Sequence, residues 1–336
     1  MPVTMRMLTL FTVLLWVTAI GRALAGPEIA GSLAAQHPGD VGMSSDPSVV
    51  FYEDFAERSL SAVLARYDSN ADRPGMALVA DHPPDSPAPY ALRLTSGGKF
   101  QDSTYVYKSF GQGYEELYVR YYAKYVGHGP WHHSGMWIGG YNPPLSYPYP
   151  RAGLKPAGDD WYSLGLEPIP SLPGTPMDLY TYWRGMHTWK TAPTGARGDY
   201  FGNTLLHDAH FVLRSNTWVC YEMHLKLNPD PASGRGAVLE VWANDRLIRR
   251  FDDHGPLGYW VRDKFCPADA NGAECTTYRP AKPRLVLLDQ RWRTTGALEI
   301  NYIWPQNYNT ASTDSSLLFD DLVVAKRRVG CIVPRN

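Results

Sequence analysis

Leu117-Tyr118-Val119-Arg120-Tyr121-Tyr122-Ala123-Lys124-Tyr125-Val126 is the stretch on which the reading of the fold turns. Successive side chains of an extended chain point to opposite faces, so Leu117, Val119, Tyr121, Ala123 and Tyr125 share one side, with Tyr118, Arg120, Tyr122 and Lys124 on the other. One side reads as core and the other as a wet, aromatic, cationic surface. Asp178 to Arg184 repeats the arrangement, with Leu179, Thr181 and Trp183 against Asp178, Tyr180, Tyr182 and Arg184. Trp218 to Leu227 does so again, setting Val219, Tyr221, Met223, Leu225 and Leu227 opposite Cys220, Glu222, His224 and Lys226.

Around these strands, short runs rich in Val, Tyr, Trp, Phe and Leu alternate with clusters of Pro, Gly, Asn and Asp, the pattern of many strands joined by turns. The 30 glycines and 28 prolines argue against long helices, and only Glu57 to Arg66 reads as a helical turn or two. No repeat of solenoid or propeller length occurs. Antiparallel sheets with one buried and one polar face pack in pairs, so the expected fold is an all-β sandwich of two antiparallel sheets. With the polar faces of the three strands side by side, the surface becomes a groove of tyrosine, arginine, lysine and histidine. Aromatic rings stack on the apolar faces of sugars while charged forks bind hydroxyls and carboxylates, so such a groove suits a polysaccharide. Many of the 22 tyrosines lie on these polar faces, where Thr, Lys or Glu would serve solubility equally.

The chain begins with a positive residue, Arg6, then an apolar run from Met7 to Ile20, then Ala23-Leu24-Ala25. That order is the signature of a secretory signal peptide over residues 1–25, and it predicts a secreted or periplasmic protein. The run is shorter than the ~20 apolar residues of a spanning helix, and no later segment reads as a membrane span. Residues 26–48, rich in Gly, Ala, Ser and Pro, read as a flexible leader, and residues 49–333 as a single sandwich domain with no internal linker. The net charge of −1, made more negative by loss of Arg6 and Arg22, excludes a general nucleic-acid binder. Four cysteines in an exported chain imply two disulfides with three possible connectivities. Cys266 and Cys275 flank a loop of Pro, Asn, Gly and acidic residues and are placed to close it locally, which leaves Cys220 for Cys331.

Several segments carry a family resemblance. They are Phe51-Tyr52-Glu53-Asp54-Phe55, the Leu117–Tyr125 strand, Trp131-His132-His133-Ser134-Gly135-Met136-Trp137-Ile138-Gly139-Gly140, Trp218-Val219-Cys220-Tyr221-Glu222, Leu225–Asn228, Leu239–Asn244 and Phe319-Asp320-Asp321-Leu322-Val323-Val324-Ala325. Together, across residues 49–330, they resemble the concanavalin-A-like jelly-roll β-sandwich of polysaccharide lyases, nearest to the alginate and glucuronan lyase group. The resemblance implies a site built from a Lys in a Gly-Gly-Lys-Leu-Pro-Gly segment, a Ser-x-Arg strand ending in Trp-Arg, and a tyrosine pair. Here the lysine position reads Met136, and the Ser and Arg positions read Asp178 and Tyr180, while Trp183-Arg184 is kept. A glycoside-hydrolase site is not supported, since no strand carries the paired carboxylates of hydrolysis in a Glu-x-Asp-x-Glu spacing.

A lyase breaks a uronate chain by β-elimination, which needs a base for the C5 proton, a clamp for the carboxylate and an acid for the leaving oxygen. The expected assignment is His133 as base, Tyr182 as acid and Arg184 as clamp. Arg120, Tyr122, Lys124, His132, Glu167, Tyr180, Glu222 and His224 are the expected substrate-binding residues. The competing reading makes Arg120 and Lys124 structural ion-pair partners and the histidines loop packing. Between residues 120 and 200, seven Lys or Arg face five Asp or Glu, which favours an acidic glycan as partner. No cofactor is required, but Glu53, Asp54, Asp320 and Asp321, on the first and last strands, offer oxygen ligands suited to a structural calcium. A second functional class remains open beside the monomeric lyase, a lectin-like protein that binds polysaccharide without cleaving it.

Overall fold

The computed structural model describes residues 31–149 and 151–335. The signal peptide expected over residues 1–25 lies outside the described residues. The larger sheet contains β1 (Val49–Glu53), β3 (Met76–Val79), β4 (Ala91–Ser96), β6 (Glu116–Val126), β10 (Val219–Lys226), β11 (Val238–Ala243), β12 (Arg246–Phe251) and β17 (Ser315–Ala325). The smaller contains β2 (Ser69–Ala71), β5 (Ser103–Tyr114), β7 (Gly135–Tyr141), β8 (Trp161–Pro168), β9 (Met177–Tyr182) and β16 (Ile300–Tyr308). Their strand orders are β12-β11-β10-β6-β17-β4-β3 and β2-β5-β16-β7-β8-β9, and every pairing is antiparallel. The long β17 is shared along its edge, with β4 on Ser315–Phe319 and β1 on Leu322–Ala325. A flanking three-stranded sheet holds β13 (Leu257–Val261), β14 (Lys264–Pro267) and β15 (Val286–Leu287).

The core lies between the two large sheets, and the alternation read from the sequence places it. Leu117, Val119, Tyr121, Ala123 and Tyr125 of β6 and Val219, Tyr221, Met223 and Leu225 of β10 are buried. They pack in one cluster with Met136 and Ile138 of β7, Leu164 and Leu166 of β8 and Leu179 of β9. The short helix expected near residues 57–66 forms as Leu60–Leu64, capped by Ser59, whose hydroxyl accepts from the Ala62 amide. The disulfides are Cys220–Cys331 and Cys266–Cys275.

The expected flexible leader is corrected for residues 31–48. Leu33, Ala34 and Met43 are buried against Val323, Ala325 and Val329, on the outer face of the larger sheet. The amides of Leu33 and Ala34 donate to the carbonyls of Arg328 and Val329, and Gly39 to Val333. Asp40 forms a fully buried ion pair with Arg120. Composition describes a segment as polar and small, but it does not reveal that a neighbouring sheet face has unpaired charge and apolar surface to cover.

Candidate active site

The outer face of the smaller sheet forms a concave groove of about 440 Å³. Antiparallel register lines up its floor: Trp304 of β16 lies opposite Trp137 of β7, Trp137 opposite Gly165 of β8, and Gly165 opposite Tyr180 of β9. The glycine is what lets the row close. A Cβ at Gly165 would sit 2.5 Å from the Trp137 indole, so the ring lies directly across the bare backbone. Tyr105 meets Trp304 edge-on at 5.7 Å, and Trp137 meets Tyr180 at 5.9 Å. At one end the loop between β7 and β8 meets Tyr107 and Tyr141, accepting a hydrogen bond from Tyr107 Oη at the Leu145 carbonyl and one from Tyr141 Oη at the Tyr149 carbonyl. Exposed Tyr149 and Phe201 form the rim.

The titratable groups stand on this floor. His133 precedes β7 with φ +52°, a left-handed backbone that turns its imidazole over the sheet. Its Nδ1 lies 3.0 and 3.2 Å from the two carboxylate oxygens of buried Glu167, on β8. Its ring packs 4.5 Å from that of Tyr180. Burial alone would lower the imidazole pKa, but the charge and hydrogen bond of Glu167 outweigh it and the net shift is upward. Neighbouring His132 goes the other way, to about 4, through desolvation and then the charge of His133. The Tyr180 and Tyr182 hydroxyls are 3.4 Å apart. Desolvation holds both phenol pKa values above their ordinary range, so both are proton donors near neutrality. Arg151 brings a guanidinium to the groove wall, 5.5 Å from the Tyr149 ring and 5.6 Å from Trp161, and pairs with Asp160.

The groove thus unites His132, His133, Tyr180 and Tyr182 with Glu167 beneath them, and it leaves out the other expected binding residues. β6 and β10 do lie side by side, but in the opposite sheet, and their polar face is engaged within the chain, in part by residues 31–48 and the C-terminal tail and in part by Asp81, Glu116 and Glu240. Arg120 is sealed with Asp40, Lys124 binds Asp81 at 2.7 Å, and the Tyr122 hydroxyl accepts from the Ile332 amide. Glu222 accepts from the amides of Val329 and Gly330. His224 is held between Glu116 and Glu240 and stacks on Tyr118 at 3.9 Å. Arg184, the expected clamp, points away from the groove and donates to the Ala157 carbonyl at 2.7 Å. Alternation separates two faces of a strand but does not say which sheet the strand joins. Missed altogether were Trp304, Tyr105 and Arg151; the first two carry a usable signal, because each sits at a period-two position between core residues.

The acidic cluster also differs from expectation. Glu53 is committed to Arg66, which donates from Nε at 2.9 Å, and to the Phe55 amide. Asp320 and Asp321, at a bulge in β17, are fully buried, and among the described residues Asp320 Oδ2 and both Asp321 carboxylate oxygens lack a well-formed hydrogen bond, with Ser86 as the near hydroxyl. Desolvation first, and then neighbouring carboxylates that include Asp54, raise both pKa values; Arg120 opposes the rise at Asp321. Asp54 and Ser86 are their polar neighbours, but among the described residues the acids that bring one oxygen each within 4.8 Å of one another are Glu53, Asp54 and Glu57, so Asp54, Asp320 and Asp321 would have to draw together to share a hard divalent cation such as calcium.

No protein-family model matches the chain, and no curated protein does. Among solved structures, the marine PL-14 alginate lyase from Aplysia kurodai superposes with a TM-score of 0.52 at 14% identity, over 83% of this chain and 99% of that one. The fold is a jelly-roll β-sandwich, shared with that structure. Alginate lyase from Chlorella virus is similar at 10% identity and a TM-score of 0.49, over 83% of this chain and 100% of its own. An endo-beta-1,4-glucuronan lyase from the fungus Trichoderma reesei is similar at 11% identity and a TM-score of 0.39, over 83% and 95%. Within this jelly roll, the position read against the family lysine is Met136, which faces the core; the groove-facing neighbour is Trp137. Asp178 is also structural, its buried carboxylate accepting from the amides of Leu179, Leu205, Leu206 and His207.

Proposed function

We propose that the chain is an exported, monomeric polysaccharide lyase that cleaves a uronate-containing glycan by β-elimination. The observation that carries the reading is the His133–Glu167 pair, set beside two protonated tyrosines on an aromatic floor. Sugar rings stack on Trp137, Trp304 and Tyr105. Neutral His133, oriented through Nδ1 by Glu167, takes the C5 proton at Nε2. Arg151, in place of Arg184, neutralises the uronate carboxylate as charge moves onto it. The C4–O bond breaks, leaving a C4–C5 double bond, and Tyr182 gives its proton to the departing oxygen; solvent then returns a proton to Tyr182 and removes one from His133. Two disulfides suit an oxidising compartment. Among the described residues no helix is long and apolar enough to cross a membrane. We further propose that the unsatisfied Asp320 and Asp321 carboxylates draw together with Asp54 around a structural calcium that ties β1 to β17, in place of the expected Glu53. A non-catalytic lectin draws support from one feature, the pairing of Arg151 with Asp160, which leaves the groove little free positive charge.

Incubation with a panel of uronate polysaccharides, followed by ultraviolet absorbance of unsaturated uronate ends, separates the two. A signal lost in His133→Ala and Tyr182→Phe is the expected result. Retention of a polymer on an affinity gel without any product would make the protein a lectin.

A further inference from the structure

A second pocket, of about 500 Å³, lies beside the groove and is lined by Lys155, Arg184, Tyr200 and Arg291. The same three chain segments serve both. Ala152 faces the groove and Leu154 the pocket; Tyr182 faces the groove and Arg184 the pocket; Phe201 faces the groove and Tyr200 the pocket. The two depressions are parted only by the strip where Gly153 bridges to Tyr200.

The pocket gathers three cations, balanced in part by Asp289. Arg184 is fixed by its bond to the Ala157 carbonyl and by Gly158, where a Cβ would sit 3.2 Å from the arginine Cδ. Lys155 stands 5.5 Å from the centre of the Tyr200 ring, and among the described residues neither it nor Arg184 has an ion-pair partner. Arg291 has one, Asp289, at 3.3 Å. The Nε atoms of Arg184 and Arg291 are buried and, among the described residues, have no acceptor. Partial desolvation and then the charge of Arg184 lower the Lys155 pKa; Asp289 opposes them, and Arg291 adds a smaller push in the same direction as Arg184.

We infer that Lys155, Arg184 and Arg291 form an oxyanion subsite that takes a carboxylate or sulfate substituent of the glycan, one or more sugars beyond the residue at His133. The inference rests on the groove being the glycan site. Two guanidinium groups lining the pocket match the planar or tetrahedral oxygens of such a substituent through their terminal N–H donors, and the lysine adds a point charge. The groove floor supplies ring stacking and the pocket supplies the charge selectivity that the floor lacks.

Titration with inorganic sulfate, read at the Nε–H resonances of Arg184 and Arg291, tests the pocket independently of the groove. Saturable shifts that vanish in Lys155→Glu are expected; no saturable response overturns the site. Calorimetry then compares hexaglucuronate with neutral cellohexaose. Wild type should prefer the uronate, and Lys155→Glu and Arg291→Ala should each weaken it roughly tenfold while leaving a diglucuronate unaffected. Sulfate binding with unchanged hexaglucuronate affinity in both variants would remove the pocket from glycan recognition. Failure of the groove itself shows differently, as hexaglucuronate binding that is absent or insensitive to Trp137→Ala while the sulfate response persists, and it would sink the glycan assignment of the pocket too.

Discussion

His133 works as a base only when neutral, and Glu167 sets where that happens. Because the carboxylate raises the imidazole pKa above its ordinary ~6.5, the rate of the proposed elimination should climb with pH through that raised value. Glu167→Gln removes the charge that favours the imidazolium, so the rising limb should move to lower pH while the activity on its plateau falls. An unmoved limb in the kcat/KM profile would take His133 out of the base role. The sequence displays His132-His133 as an adjacent pair and Glu167 as one acid among many; only the pairing of β7 with β8 brings that acid under the second histidine. The opposite shifts of the two histidines are equally tertiary, since both arise from what lies within a few ångströms of each ring.

β7 and β8 show how a strand pair makes a binding surface from a missing side chain. Gly165 exists as a space for the Trp137 indole, and a methyl group there would meet ring atoms at 2.5 Å. The ring is flanked by Trp304 and Tyr180, so it can yield only toward the groove. Gly165→Ala should therefore cost about 1–3 kcal/mol of stability by denaturant titration. It should also weaken oligosaccharide binding, because the floor is no longer flat; unchanged affinity would mean that sugars do not stack there. On the other sheet, β6 carries the most legible alternation in the chain, and its core side is as read. Its polar side was misread as a groove, because Arg120 and Tyr122 look equally suited to bind a sugar or to receive the chain termini. Breaking the Arg120–Asp40 pair by Asp40→Ala should cost about 3–5 kcal/mol, the penalty of an uncompensated buried guanidinium. A loss under about 1 kcal/mol would show that residues 31–48 are not held by it.

For the whole molecule, the termini matter more than composition suggests. Residues 31–48 and the tail after β17 lie across the larger sheet, and Cys220–Cys331 spans 111 residues to hold the tail there. The aspartate pair on β17 ties pH to this arrangement. Raised native pKa values mean that the folded protein binds more protons than the unfolded chain, so without a cation this stability is present below an ordinary aspartate pKa of ~4 and is lost as pH rises toward the shifted values. Calcium should cancel that decline, and EDTA at neutral pH should lower the melting temperature by about 5–10 °C. An equal melting temperature with and without calcium across pH 4–8 would remove the metal. What the sequence determined by itself was local and periodic: the strands, their buried faces and an all-β sandwich, because period-two burial is a property of each strand alone; the jelly roll came from the family resemblance, and two histidines, two tyrosines and Glu167 of the groove were named without their arrangement. Which sheet each strand joins, which polar face is left open, that Arg151 rather than Arg184 reaches the groove, and that Glu167 meets His133 were decided only by the tertiary structure. Those facts depend on pairings between segments far apart in the chain, and no local pattern of residues encodes the partner.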